Sequence, residues 1–224
     1  MKIDFHTHTH HSYDSRMKPA KILRLAKARG LDGIVICDHN TIKGGIEARQ
    51  LNTDANFEVI VGAEILTNAG DVTGIFLEKE IEAREFHAVV AEIRSQGGKV
   101  ILNHPYYAHD LSLVDFSKID YIEGYNGRCN EKLNQKAVAL AQKHNLPIIA
   151  GSDAHLYQEV ANCVTEVDNL ENLQPINCTY KPTKQLYIML SQYIKAWERK
   201  NLSIFISATK VFLKKTLKSI LKLS

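Results

Sequence analysis

The 224-residue sequence predicts an α/β fold in which strands and helices alternate and are followed by a helical extension. Short apolar, β-branched runs recur along the chain, separated by stretches with helical periodicity. Several helical stretches end at Gly or Asn just before the next run, as at Gly30 and Asn145. The alternation stops after Lys181-Pro182. Strand–helix alternation of this kind is typical of a parallel sheet, either open or closed into a barrel.

The predicted elements of the alternating part follow in chain order. Eight runs are expected to be strands: 2–5, 33–37, 58–63, 72–77, 99–103, 119–124, 146–150 and 163–167. The clearest helical stretches between them are 20–29, 81–96 and 131–144. No internal repeat or long linker interrupts this order, so we predict one barrel domain over residues 1–183.

Residues 184–224 are predicted to form a basic amphipathic helical extension. A first helix has apolar residues at i, i+3 and i+4 spacing: Leu186, Met189, Leu190, Tyr193 and Trp197. A second has an apolar face made by Leu202, Phe205, Ile206, Phe212, Leu213, Leu217 and Ile220. Its opposite side carries Lys210, Lys214, Lys215, Lys218 and Lys222. We expect the extension to contact the barrel or another subunit, with an anionic membrane surface as the less favoured alternative.

Composition and charge limit the class of protein. Hydrophobic residues make up 45% and charged residues 24%, values of an ordinary globular protein. The four cysteines are scattered without a CxxC pair and the first residues lack the apolar core of a signal peptide, so we expect a cytoplasmic protein. The net charge of +3 divides into +9 for residues 181–224 and −6 for the rest. An acidic body disfavours binding of long nucleic acid.

Histidines and carboxylates follow five of the predicted strands. His6 and His8 follow the first, Asp38-His39 the second, Glu64 the third, His104 the fifth, and Asp153 with His155 the seventh. In a β/α barrel, these strand ends share one face, on which the active site lies. The sequence therefore predicts that the side chains converge.

The residue types indicate a metal site. Alternate residues of an extended chain point the same way, so His6 and His8 can bind one ion. Imidazole together with carboxylate suits Zn, Mn or Fe. A carboxylate such as Glu64 can bridge two ions through its two oxygens. His10 and His11 extend the run to HTHTHH, which in isolation resembles an adventitious metal-binding tract.

Five segments resemble the polymerase and histidinol phosphatase (PHP) family of metal-dependent phosphoesterases. They are Asp4-Phe5-His6-Thr7-His8, Cys37-Asp38-His39-Asn40, Gly62-Ala63-Glu64-Ile65, Asn103-His104-Pro105 and Gly151-Ser152-Asp153-Ala154-His155. They occur in the family's order over about residues 1–170. The resemblance implies a distorted seven-stranded β/α (TIM-like) barrel and two or three divalent metal ions.

The resemblance also implies roles for individual residues. His6, His8, Glu64 and Asp153 would hold one ion, Glu64 and His104 a second, and Asp14, His39 and His155 a third. Asp38 would lie beside these ligands, and Asp153, Asp38 and His155 are the candidates for proton transfer. Arg128 matches a segment that supplies a phosphate-binding arginine, a role that suits its planar guanidinium. Many relatives have a further ligand histidine where this chain has Asp71. Either Asp71 serves as a carboxylate ligand in its place, or the second metal site is weak.

The expected function follows from these roles. A metal-activated hydroxide would hydrolyse a small phosphomonoester or nucleotide phosphate. Exonuclease action on short oligonucleotide ends is the main alternative. An amidohydrolase that cleaves C–N bonds and a non-catalytic regulatory barrel are further alternatives that fit the residues less well.

Overall fold

The computed structural model describes the backbone of residues 1–221 and the side chains of residues 1–214. The nine strands are β1 Lys2–Thr7, β2 Gly33–His39, β3 Glu58–Thr67, β4 Gly70–Ile75, β5 Lys99–Leu102, β6 Tyr121–Asn126, β7 Ile148–Gly151, β8 Cys163–Val167 and β9 Pro175–Tyr180. The six helices are α1 Pro19–Ala28, α2 Lys43–Leu51, α3 Phe86–Ser95, α4 Glu131–His144, α5 Gln185–Glu198 and α6 Leu202–Leu221. The predicted helix 131–144 is confirmed, and the predicted strands lie within a few residues of the observed ones.

The strands form one mixed sheet that curls into a nearly closed barrel. Its order is β7-β6-β5-β4-β3-β2-β1-β8-β9. Beyond the point where β1 pairs with β8, the end of β1 meets the segment after β7. There Thr7 and Ala154 form a parallel bridge, flanked by hydrogen bonds from the Ala154 N–H to the His6 carbonyl (3.2 Å) and from the His8 N–H to the Ala154 carbonyl (2.9 Å). These contacts bring the first and seventh strands together.

The expected count of seven strands is wrong, because the sheet has nine. Strands β1–β7 follow one another around the sheet, and β8 and β9 continue it antiparallel beyond the other edge of β1. Strand β9 was not predicted because Pro175, Asn177 and Thr179 interrupt its apolar residues, so it lacks an apolar run. The sheet is also not wholly parallel. Only two residues separate β3 from β4, too few for a crossover, so these strands form an antiparallel pair.

Apolar side chains fill the barrel and the space beneath the helices. Eight of the nine strands and the loop after β8 supply the interior cluster, which includes Ile3, Phe5, Val35, Ile60, Ile75, Ile101, Tyr121, Ile149, Val167 and Leu173. Two outer clusters lie under α1 and α2 on one side and under α3 and α4 on the other. This packing leaves one end of the barrel to polar side chains.

The extension contacts the barrel through α5. Ser191 and Ala196 are buried there, and the guanidinium of Arg128 donates a hydrogen bond to the Ser191 hydroxyl. The predicted apolar face of this helix packs only in part, because Leu186, Leu190 and Trp197 are exposed.

Helix α6 packs against α5. The Tyr193 ring stacks on Phe205 at 4.5 Å between centroids. Leu202, Ile206 and Leu213 remain exposed. Five residues of the predicted α6 faces lie outside the described side chains: Lys215, Leu217, Lys218, Ile220 and Lys222. Within residues 1–221, none of the helices combines the length and the hydropathy needed to cross a membrane.

Candidate metal centre

The structure gathers all nine predicted metal-ligating residues at one end of the barrel. They come from β1 and the loop after it, the end of β2, the middle of β3, the start of β4, and the segments after β5 and β7. His104 and Asp153 have positive φ angles of 25° and 51°. Such backbone strain is common at functional sites, where it directs side chains that regular strand geometry would place elsewhere.

Glu64 is at the centre of the cluster. Its Oε1 lies 3.1 Å from His104 Nε2 and 3.4 Å from His6 Nε2. Its Oε2 lies 3.0 Å from His39 Nδ1 and 3.5 Å from His8 Nε2. Each carboxylate oxygen therefore faces a different pair of imidazoles, the arrangement that a carboxylate needs to bridge two ions.

Asp153 lies beside both His6 and His8. Its Oδ1 is 3.7 Å from His6 Nε2 and 3.5 Å from His8 Nε2. The two histidine Nε2 atoms are themselves only 3.0 Å apart. Because both imidazoles present a ring nitrogen to the same point, their neutral forms could share one cation there. The donor set of His6, His8, Glu64 and Asp153 thus fits one divalent ion.

A second group of donors consists of Glu64, Asp71 and His104. One donor atom of each lies within 4.8 Å of the others. Burial, followed by the negative charge of Glu64, raises the pKa of Asp71 to about 6. Asp71 therefore lies close enough to Glu64 and His104 for the three side chains to reach one ion.

The third predicted group lies on the other side of Glu64. Asp14 Oδ2 is 3.3 Å from His39 Nε2, and Asp14 Oδ1 is 3.2 Å from His155 Nε2. Asp14 Oδ1 is buried without a hydrogen-bond partner, as is Nδ1 of His104 in the second group. Buried polar atoms that lack partners are costly, and an ion bound between Asp14, His39 and His155 would supply a partner for the first of them.

The charges of these groups are strongly coupled. Burial disfavours the charged form of His39, but Asp14 and Glu64 raise its pKa to about 10. Burial likewise acts against the charge on His104, but the hydrogen bond and charge of Glu64 raise its pKa to about 9. The imidazoles in turn hold the pKa of Glu64 well below its ordinary value, against the opposing effect of burial. In the metal-free protein, protons on these imidazoles compensate the carboxylate charges.

Asp38 lies behind the ligands and organises the loop after β1. Its Oδ1 accepts hydrogen bonds from the Thr9 N–H (2.6 Å) and the Ser12 hydroxyl (2.7 Å), and its Oδ2 accepts one from the Thr9 hydroxyl (2.6 Å). The Ser12 hydroxyl is also 3.1 Å from His8 Nδ1. Burial raises the pKa of the Asp38 carboxyl. This geometry is that of a residue that positions His8 through the loop.

Arg128 is held between the barrel and α5. Its Nε lies 3.5 Å from Glu159 Oε1, and its Nη2 donates to Ser191. Glu159 Oε2 accepts the backbone N–H of His155 at 3.0 Å. Burial acts to raise the pKa of Asp153, but nearby groups hold this pKa well below its ordinary value. His6 makes the largest contribution to the lowering, and the Arg128 guanidinium adds to it. The structure therefore brings the charge of Arg128 to the metal centre, with Nη2 hydrogen-bonded and Nε buried without a hydrogen-bond partner.

Two supporting residues were not identified from the sequence. Glu123 Oε1 is 2.8 Å from His6 Nδ1, and its Oε2 accepts the backbone N–H of His104 at 2.9 Å. Asn103 donates to Glu64 Oε1 at 3.0 Å. Contacts of this kind fix the orientation of metal ligands. The sequence offered only a weak signal for Glu123, because the predicted strand 119–124 contains a second acidic residue, Asp120.

Comparisons with known proteins agree with this geometry. Residues 131–175 match the family model described as PHP-associated, a segment that includes Asp153 and His155. Two Methanocaldococcus jannaschii proteins are similar. The uncharacterized protein MJ1587 is 38% identical over 117 residues, 47% of this chain and 68% of its own length. The uncharacterized protein MJ0417 is 31% identical over 187 residues, 78% of this chain and 74% of its own length.

A shorter match and two solved structures add to these relatives. A 5'-3' exoribonuclease of Haemophilus influenzae is 37% identical over 67 residues, 30% of this chain and 24% of its own length. PsfC from Pseudomonas syringae has a TM-score of 0.61 at 19% identity and covers 89% of this chain and 98% of its own. A candidate metal-dependent phosphoesterase from Bifidobacterium adolescentis has a TM-score of 0.57 at 16% identity and covers 69% of this chain and 88% of its own.

The sequence relatives, the PHP-associated segment and the five ligand-bearing segments lead to the same conclusion. The relatives share at least 31% identity and are matched over more than two thirds of their length. The ligands lie in the expected order on successive strands of a barrel. The chain belongs to the polymerase and histidinol phosphatase (PHP) family of metal-dependent hydrolases.

Proposed function

We propose that the protein hydrolyses a small phosphomonoester or nucleotide phosphate at a site that holds two or three divalent ions, Mn, Zn or Fe. The observation that carries the proposal is the position of Glu64, with imidazoles facing both of its oxygens. Bound divalent ions lower the pKa of water and neutralise phosphate oxygens, which is the chemistry that phosphoester hydrolysis needs.

The proposed ligand groups follow from the distances. His6, His8, Glu64 and Asp153 would hold the first ion. Glu64, His104 and Asp71 would hold the second, and Asp14, His39 and His155 the third. Loss of Asp71 should lower metal occupancy, because only Glu64 and His104 then remain for the second ion.

Asp153 is our first candidate for proton transfer. Its side chain is 14% exposed, compared with 2% for Glu64 and 4% for Asp14. It is therefore the most accessible carboxylate of the first and third groups to a substrate that enters from solvent. His155 Nδ1 is 3.3 Å from Asp153 Oδ1, within reach of a proton that this carboxylate accepts or donates. Asp38 is a weaker candidate because three hydrogen bonds already occupy its oxygens.

Arg128 would stabilise negative charge on the substrate phosphate. The positive charge of Arg128 lowers the pKa of Asp153, and the Arg128 side chain is 10% exposed. Glu159 and Ser191 would hold the guanidinium in place while a free edge faces the phosphate. Fixed positive charge at this point favours a transition state in which charge spreads over the phosphate oxygens.

Hydrolysis of short oligonucleotide ends is a second candidate function. The similarity of 67 residues to the Haemophilus influenzae exoribonuclease favours it. The net charge of −6 over residues 1–180 disfavours a long nucleic acid. Cleavage of C–N bonds is a weaker alternative. We include it in the test because one structural neighbour is named as an amidohydrolase from Chromobacterium violaceum.

The test is metal-supplemented phosphate release, first with Mn²⁺ and then with Zn²⁺. Substrates are small phosphomonoesters, nucleoside 3',5'-bisphosphates, short oligonucleotides and a panel of amides. We expect chelator-sensitive phosphate release that Asp153→Ala abolishes without unfolding the protein. The exposed His87, on α3 away from the ligand groups, provides the control variant His87→Ala, which should remain fully active.

Each outcome separates the alternatives. Preferred release of terminal nucleotides would indicate the exonuclease, and amide turnover alone would indicate the amidohydrolase. A fully active Asp153→Ala variant would overturn the assigned site. No turnover with any metal, despite bound ions, would contradict the phosphoesterase proposal and favour a regulatory barrel.

A further inference from the structure

A separate histidine–carboxylate cluster lies on the surface beside the metal centre. His10 and His11 are in the turn after β1, and Glu47 is on α2. His11 Nε2 is 2.8 Å from Glu47 Oε2, and His10 Nε2 is 3.7 Å from the same oxygen. The two imidazole rings lie 4.3 Å apart between centroids. None of these three residues belongs to the ligand groups around Glu64.

The spacing fits a tetrahedral transition-metal ion. Zinc binds histidine nitrogen and carboxylate oxygen at about 2.0–2.2 Å, so tetrahedral ligand atoms lie about 3.3–3.6 Å from one another. The observed separations of 2.8 and 3.7 Å lie on either side of this value, and all three donor atoms fall within 4.8 Å of one another. Two imidazoles and one carboxylate are a donor set that zinc accepts with a fourth position open.

The backbone on both sides of the cluster is fixed by the fold. The His10 N–H donates to the Met17 carbonyl at 2.8 Å, and the His11 N–H donates to the Thr9 hydroxyl at 3.1 Å. Asp38 in turn holds Thr9, as described above. Glu47 is on a regular helix, so an ion would bind a preformed arrangement and would need little ordering of the chain.

The cluster is open to solvent, so an ion can reach it. The side chains of His10, His11 and Glu47 are 42%, 27% and 39% exposed. His11 and Glu47 also line a surface cavity of about 410 Å³. This exposure leaves room for water or another small ligand at a fourth coordination position.

We propose that His10, His11 and Glu47 form a second metal site that binds one Zn²⁺ or a similar divalent transition ion. The ion joins the turn after β1 to α2, and it is independent of the ions proposed for the metal centre. Ion binding at this site stabilises the folded chain, since the unfolded chain does not hold the three donors together.

The test counts bound ions, with Zn²⁺ alone as the probe. Metal-stripped protein is dialysed against a series of Zn²⁺ concentrations, and bound zinc per chain is measured by atomic emission. We expect the double variant His10→Ala/His11→Ala to bind one Zn²⁺ fewer than the unaltered chain. Glu47→Gln should weaken binding at this site at least tenfold and reduce the rise in melting temperature that Zn²⁺ produces.

The control is His87→Ala/His144→Ala, which removes two histidines from helices α3 and α4. It should keep the zinc stoichiometry of the unaltered chain. Equal stoichiometry and equal zinc affinity in the unaltered chain, the His10→Ala/His11→Ala variant and the Glu47→Gln variant would overturn the proposal. Because the readout is bound metal, the result does not depend on whether the protein is a phosphoesterase.

Discussion

Glu64 keeps a negative charge in a buried position because the charges of His6 and His39 and hydrogen bonds from His39 and His104 act on its carboxylate. Burial alone would raise its pKa, yet the pKa is held well below the ordinary value. His6, His39 and His104 hold their protons more tightly than an imidazole in water does. His8 is the exception, because burial and the neighbouring histidines lower its pKa to about 3. His39 and His104 have pKa values of about 10 and 9, against an ordinary value of 6.5.

These pKa values predict that metal binding strengthens as the pH rises. A metal ion binds the neutral imidazole, so it must displace the proton from His39 or His104. We expect the affinity for Mn²⁺ to increase between pH 6 and 9, by up to about tenfold per pH unit for each displaced proton. Titration calorimetry in buffers of different ionisation enthalpy should detect proton release at pH 7.5. Binding without proton release would contradict the prediction.

The metal-free protein should show the opposite dependence on pH. Because the folded pKa values of His39 and His104 are raised, their contribution to the free energy of unfolding is complete below about pH 6.5. That contribution is lost as the pH rises through 9 to 10. The measurement is the melting temperature of chelator-treated protein at a series of pH values from 6 to 10. We expect it to fall as His39 and His104 lose their protons, and no metal takes part in this measurement.

At the scale of elements, α2 packs against the loop that carries the ligands through a single glycine. A Cβ atom at Gly44 would lie 1.9 Å from Asp38 Oδ2 and 2.3 Å from Thr9 Oγ1. Any larger side chain must therefore displace the carboxylate that organises the turn after β1. The helix and the loop fit together only because position 44 has no side chain.

Gly44→Ala is predicted to lower both stability and metal affinity. Overpacking of this kind costs about 1–3 kcal/mol, and the displaced Asp38 no longer positions Ser12 beside His8. The matched control is Gly30→Ala, where no atom lies within 4 Å of the added Cβ, although φ is +76°. That variant should lose about 1–2 kcal/mol of stability and keep its metal affinity. Equal metal affinity in both variants, measured by calorimetry, would show that Asp38 does not position the ligands.

The sequence was sufficient to locate most elements and all the ligand-bearing strand ends. Apolar runs predicted β1–β8, and the HxH spacing placed His6 and His8 on one side of β1. Strand β9 could not be predicted because it has no continuous apolar run and none of its residues is fully buried. The short separation of β3 and β4 in the sequence already indicated that these strands are antiparallel. The alternation of strands and helices led instead to the expectation of a parallel sheet.

Supporting contacts were harder to predict than the ligands. Glu123 reaches His6 across 117 positions of the chain, a separation that no local pattern indicates. The contact of Arg128 with Ser191 was not predictable for the same reason, since it depends on how α5 docks. The amphipathic pattern located α5 correctly but misjudged which residues it buries.

At the scale of the whole molecule, the helical extension forms part of the wall around the site. The Tyr13 ring stacks on His39 at 4.6 Å between centroids, and the guanidinium of Arg199 lies 3.9 Å from the centre of the same ring. Lys195 lies 4.9 Å from that ring centre. Helix α5 therefore covers an aromatic ring that touches a proposed metal ligand. Contact of α6 with another subunit or with an anionic membrane stays a prediction.

Removal of the extension is predicted to destabilise the barrel. A chain that ends at residue 183 loses the partner of Arg128 and the cover of Tyr13, and we expect a loss of about 1–2 kcal/mol, roughly 2–8 °C in melting temperature. A chain that ends at residue 201 keeps α5 and is the matched control, which should lose less. An unchanged melting temperature for the shorter chain would contradict the packing of α5 on the barrel.

The bridge that joins Thr7 to Ala154 has a consequence for biosynthesis. The backbone N–H of Ser152 donates to Asp4, 148 positions earlier in the chain. A ribosome that adds 5–20 residues per second needs roughly 7–30 s to make that stretch. During this time β1 has emerged, but Asp153 and His155 do not yet exist. A nascent chain therefore lacks the complete set of predicted ligands until the segment after the seventh strand has left the ribosome.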